Sequence, residues 1–147
     1  MNDDFLLAAI RLAAGSDPIP PDVTAAARDL YALRLPNAVT ASPVECSATR
    51  GVRDEQGSRL ASFEAAGLAF ELEVTVSDGL IDVAGQVSPH PGAGSQVTIR
   101  TPHVSMTREL GVGGQFAATG LPPGWFSVIC HRPGRDPVVT RWVRIRP

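Results

Sequence analysis

Lysine is absent, and all thirteen basic residues are arginine. A P-loop needs a lysine on the nucleotide phosphates, so that site is excluded. Gly111-Val112-Gly113-Gly114 reads instead as a loop that opens a strand. Cysteine is confined to Cys46 and Cys130, too widely spaced for a metal or redox motif and too few for a disulfide scaffold. His90, His103 and His131 stand at no metal-ligand spacing. His131 adjoins Cys130, but neighbours on a strand face opposite ways and cannot chelate together. No metal and no cofactor is therefore expected. The apolar stretch 5–14, FLLAAIRLAA, is only ten residues long, half of the roughly 20 that a membrane-spanning helix needs. Asp3 and Asp4 precede it where a signal peptide carries positive charge. A cytoplasmic chain with free thiols, away from the membrane, is the expectation.

Catalytic frames are missing too. Gly92-Ala93-Gly94-Ser95 lacks both the spacing and the strand-to-helix context of a nucleophile elbow. Cys130 lies in an apolar run where a thiol is inert packing, and Cys46 has no basic residue nearer than Arg50. Glu71 and Glu73 share a strand face, the ordinary work of which is to solvate the sheet. No enzyme is expected. A hydrolase built on Cys46, Ser95 or a histidine ranks third among the functions weighed.

What is present is a chain of 147 residues, 44% hydrophobic and 19% charged, with a net charge of −2. That length suits one domain with a small extension. Charge is unevenly spread: the front third is acidic, whereas Arg132, Arg135, Arg141, Arg144 and Arg146 crowd the end. Arginine beside Trp125 and Trp142 would suit nucleic acid, but the negative total and the imperfect alternation around Trp142 argue against it.

The front reads as a helical hairpin over 1–36. Asn2 or Asp3 caps a first helix to about Ala14, ended by Gly15, with the early aspartates on the positive end of its dipole. Asp17-Pro18-Ile19-Pro20-Pro21 is a rigid elbow, and Pro21 is placed to open a second helix running to about Leu35, where Pro36 stops it. Phe5, Leu6, Ile10 and Leu12 on the first helix and Val23, Leu30 and Tyr31 on the second form an apolar stripe. Periodicity then disappears over 37–58, which reads as a linker with a short strand near Val44 to Ala48.

From 59 to 147 the period becomes two. Leu68, Phe70, Leu72, Val74 and Val76 alternate with polar or small residues, and Ser77-Asp78-Gly79 turns the chain into Ile81, Val83, Gly85 and Val87. Gly114 to Val128 organises the rest: Phe116 and Ala118 face inward, Leu121-Pro122-Pro123-Gly124 breaks the strand, and Trp125 to His131 begins another. Val138 to Ile145 reads as a last strand. Turns at about ten-residue spacing predict a mainly β fold, an antiparallel sandwich of about seven or eight strands, transthyretin-like or immunoglobulin-like.

The order Val83-Ala84-Gly85-Gln86-Val87, Val97-Thr98-Ile99, Gly114-Gln115-Phe116 and Leu121-Pro122-Pro123-Gly124 resembles the carboxypeptidase regulatory-like (transthyretin-like) β-sandwich family over about residues 80–131. That resemblance implies a non-catalytic accessory domain and supplies no catalytic residues. Where members carry Thr-Asp before the glycine turn, this chain has Leu110-Gly111. The whole chain also resembles small uncharacterised proteins of high-GC Gram-positive bacteria, through Asp17-Pro18-Ile19-Pro20-Pro21, Ser62-Phe63-Glu64-Ala65 and Val138-Val139-Thr140-Arg141-Trp142-Val143. Such proteins are often encoded beside a sigma factor, which implies a regulatory protein partner. Two functions stand ahead of the hydrolase. The first is a non-enzymatic interaction protein contacting a sigma factor or other partner through Phe5, Leu6, Ile10, Leu12, Val23, Leu30 and Tyr31. The second is a peptide-binding or structural β module with the helices packed on it.

Overall fold

The computed structural model describes residues 3–16, 18–44 and 58–145. They fall into two compact units, Met1–Arg34 and Leu35–Pro147. The first holds α1 (Asp3–Ser16) and α2 (Pro21–Ala32). α1 runs through Gly15 instead of stopping before it, because one glycine in a final turn costs only about 1 kcal/mol relative to alanine. In α2, Pro21 takes the first helical position, and the Pro20 carbonyl accepts from Val23 N and Thr24 N at 3.1 and 3.2 Å. The helix ends at Ala32, earlier than Leu35, since Pro36 pushes the residue before it toward extended geometry. No side chain of α2 is buried, and those described for α1 are all exposed.

The second unit is mainly β. Its strands are β1 (Val39–Pro43), β2 (Ser58–Ala65), β3 (Leu68–Ser77), β4 (Leu80–Ser88), β5 (Gln96–Arg100), β6 (Ser105–Glu109), β7 (Gln115–Leu121), β8 (Gly124–His131), β9 (Val138–Thr140) and β10 (Val143–Ile145). They form one ten-stranded sheet in the order β6-β5-β8-β9-β1-β2-β3-β4-β7, with β10 also on β8. β6 and β7, its two ends, approach each other, so the sheet is nearly closed into a barrel.

Two expectations change here. The strand count rises from seven or eight to ten, and the sheet is mixed, because β1 pairs with β9 in parallel through Val39↔Val138 and Ala41↔Thr140. β1 falls within the expected linker, where its short apolar content gives no strand period, yet Ala41 is fully buried. The strand expected near Val44 to Ala48 lies, beyond Val44, outside the described residues. β1 also changes partner midway, since Ser42 and Pro43 pair with β2. It thereby joins β6-β5-β8-β9 to β2-β3-β4-β7.

The second extra strand comes from a break. Val138 to Ile145 divides into β9, paired with Ile129 and Cys130, and β10, paired with Gly124 to Phe126. Thr140 splices the gap: its Oγ1 accepts from Val128 N at 3.0 Å, and its carbonyl accepts from Ser127 Oγ at 3.1 Å, both buried. Thr140→Val keeps the shape but strands the Val128 N–H. The expected loss is about 1–3 kcal/mol in urea unfolding, with Thr140→Ser close to wild type.

Local chemistry fixes the hairpins. Ala66 (φ 52) with Gly67 (φ 76), and Asp78 (φ 50) with Gly79 (φ 76), supply the two left-handed residues that a tight antiparallel turn requires. Inward residues of both halves, among them Phe70, Leu72, Val83, Val97, Ile99, Phe126 and Val128, make one core. Gly85 belongs to it by having no side chain: a Cβ there would meet Leu72 Cδ2 at 2.8 Å and Phe116 Cε1 at 2.9 Å. Gly85→Val forces ring and strand apart, and thermal unfolding is expected to record a loss of about 1–3 kcal/mol.

Candidate partner-contact surfaces

On α1, Phe5 and Leu12 lie together with Leu6 and Ile10 beside them, and on α2 Val23 and Leu30 lie together with Tyr31 alongside. All seven side chains are between 47% and 76% exposed. The Arg34 guanidinium stands 5.1 Å from the centre of the Tyr31 ring. Neither helix is long and apolar enough to cross a membrane.

The β unit separates charge by face. The pairings Leu60↔Glu73↔Ala84 and Ser62↔Glu71↔Gln86 place Glu71 and Glu73 on the outer side of β2-β3-β4, with exposed Glu64 on the same side. The outer side of β5, β8 and β10 is basic and aromatic. There Arg100 stacks on Trp142 at 4.8 Å, and Arg144, opposite Trp125 in the register, stands 5.7 Å from that ring. Arg100 is 9% exposed, and its burial draws its pKa below the ordinary arginine value. The sequence flagged Trp142 and the terminal arginines but missed Arg100. Arginine at the end of an alternating strand gave no sign that Trp142 covers it.

Of the histidines weighed for chemistry, His131 meets a hydroxyl of the neighbouring strand, that of Thr98. Thr98 Oγ1 lies 3.1 Å from His131 Nε2 and 2.9 Å from Thr107 Oγ1. A hydroxyl beside an imidazole has the form of a nucleophile–base pair without its orienting acid, and this one sits on an open sheet face. The nearest carboxylate in its register, Glu109, is two strands from His131 through Gln96. The group works as a cross-strand hydrogen-bonded ladder. His90 is exposed and its Nδ1 accepts from Gly92 N at 3.1 Å, and His103 is exposed in the loop before β6. Ser95 is buried, and its hydroxyl has no hydrogen-bond partner among the described residues. Cys46 lies outside the described residues. No group of three or more potential metal ligands occurs among the described residues.

Cys130 is fully buried, and burial pushes its thiol pKa up against the opposing pull of Arg132. A folded pKa above the unfolded one adds stability below the unfolded thiol pKa, and that stability is lost as pH rises through the folded value. In a Cys46→Ser background, chemical denaturation should show stability falling above about pH 8.5. Cys130→Val should flatten that slope. An open depression beside the β8–β9 loop, lined by Val39, Ala66, Arg132, Gly134, Arg135 and Asp136, holds no catalytic grouping.

No family model, curated protein or solved structure matches this chain.

Proposed function

We propose that the chain is a non-enzymatic interaction or regulatory protein that grips a protein partner through α1 and α2, the β unit serving as scaffold. The observation that carries this reading is the exposure of Phe5, Leu6, Ile10, Leu12, Val23, Leu30 and Tyr31 on two short helices. Helices this short are marginal alone and derive stability from covering an apolar face. An amphipathic helix laid in a groove contacts its partner through residues at this spacing. A sigma factor is the partner that the whole-chain resemblance suggests, and the setting is cytoplasmic. The sandwich of the carboxypeptidase regulatory-like resemblance is the finer reading of the β unit, its two layers being β2-β3-β4-β7 and β6-β5-β8-β9 with β1 as the corner between them.

The test is retention of the host's sigma factor on the tagged full chain and on Leu6→Glu with Ile10→Glu. Retention by wild type and loss by the double variant supports the reading. Equal retention, or none by either, refutes the sigma factor as the partner of these helices.

A further inference from the structure

We propose that the outer side of β5, β8 and β10 binds single-stranded nucleic acid, Trp125 and Trp142 stacking on its bases and arginine meeting its phosphates. Both tryptophans of the chain stand on this side. Trp125 is 45% exposed, although the next residues of its strand, Phe126 and Ser127, are buried. Trp142 follows β9, and β8 lies between β9 and β5 in the sheet. Its stack on Arg100 therefore carries the ring across β8 at Ser127, the fully buried partner of Arg100. The two rings stand at Ser127 and Trp125, positions about 7 Å apart along β8.

Charge complementarity selects an anionic occupant. The outward positions of β5, β8 and β10 hold Arg100 and Arg144 and no carboxylate. The nearest carboxylate in their register, Glu109 on β6, is level with His131, four residues along β8 from Ser127. The net charge of −2 that argues against nucleic acid averages this side with the outer side of β2-β3-β4, which carries Glu64, Glu71 and Glu73. Arg100, supplied from β5, adds the charge that the imperfect alternation around Trp142 lacks.

The aromatic component selects the class of anion. Exposed indole beside guanidinium suits a strand with unstacked bases, because every base offers a flat face and every link a phosphate. In a duplex those faces are already covered by neighbouring pairs. An acidic peptide would satisfy the arginines and leave the indoles uncovered. An anionic membrane would call for exposed aliphatic side chains as well. Ile129, the one aliphatic residue at an outward position of these three strands, is 4% exposed.

Titration of the full chain with a labelled single-stranded oligothymidylate, read by its anisotropy and by tryptophan fluorescence, is the test. Both indoles are on the proposed face, so stacking is expected as saturable quenching. The logarithm of the affinity should fall with the logarithm of salt by about 0.7 for each phosphate contacted. Trp125→Ala, at an exposed ring, should weaken binding at least about tenfold. Arg144→Gln should weaken it and flatten the salt slope by about 0.7. Leu6→Glu with Ile10→Glu, on the helices, should bind as wild type does. Absence of binding overturns the proposal, as does equal affinity for the duplex with oligoadenylate. So does undiminished binding by either folded variant of the face. Quenching by phosphatidylglycerol vesicles without binding to the oligonucleotide overturns it too and assigns the face to a membrane surface. Should Trp125→Ala fail to fold, Arg144→Gln and the duplex comparison decide.

Discussion

Replacing Phe126 by alanine is expected to remove about 3–5 kcal/mol of stability, the cost of a large core truncation that leaves a cavity. Phe126 is 1% exposed and stands on β8, the strand that pairs with β5, β9 and β10. A hole there loosens three neighbours together. For a β unit of this size the melting temperature should fall by at least about 10 °C. Phe5→Ala is the matched control. Its ring is 74% exposed, so the same truncation should change the stability of the β unit by no more than a surface substitution does, about 0.5 kcal/mol. Differential scanning calorimetry of the two variants checks the contrast. Equal losses would show that the first helix contributes to the folding unit as a core residue does.

The second large effect concerns binding. Leu6→Glu with Ile10→Glu puts two carboxylates on the apolar side of α1, where both native residues are more than 50% exposed. Two anchors of an interface commonly carry about 2 kcal/mol each, so partner affinity should weaken on the order of 1,000-fold. The unfolding midpoint of the β unit should not move. Biolayer interferometry against the purified partner and circular dichroism of the same samples measure the two quantities. A lost midpoint together with lost affinity would mean that the substitution acts through folding.

The sequence revealed most where one face of a strand is dry. Leu68 to Val76 and Ile81 to Val87 alternate cleanly, and β3 and β4 follow them with turns at Asp78-Gly79. Pro122-Pro123 ends β7 and Gly124 begins β8, as proline and glycine chemistry requires. Legibility failed where burial did not obey alternation. In β1 a lone buried Ala41 between Thr40 and Ser42 gives no periodic signal, and its long-range partners β9 and β2 make it a strand. In β8 Phe126 to Cys130 are buried on both faces, so neither the Arg100–Trp142 stack nor the break at Thr140 could be read from period. Single long-range contacts settle such places. The apolar helical residues were readable as a stripe, but their exposure was not, because periodicity marks a face without saying what covers it.

The central claim, that contact belongs to the helices and support to the β unit, is tested most directly by hydrogen exchange. The full chain is to be measured alone and bound to the partner retained through wild-type α1. New protection is expected over 5–12 and 23–31, with the core amides of β3, β4 and β8 unchanged. New protection confined to the strands, with the helices exchanging as they do in the free chain, would contradict it.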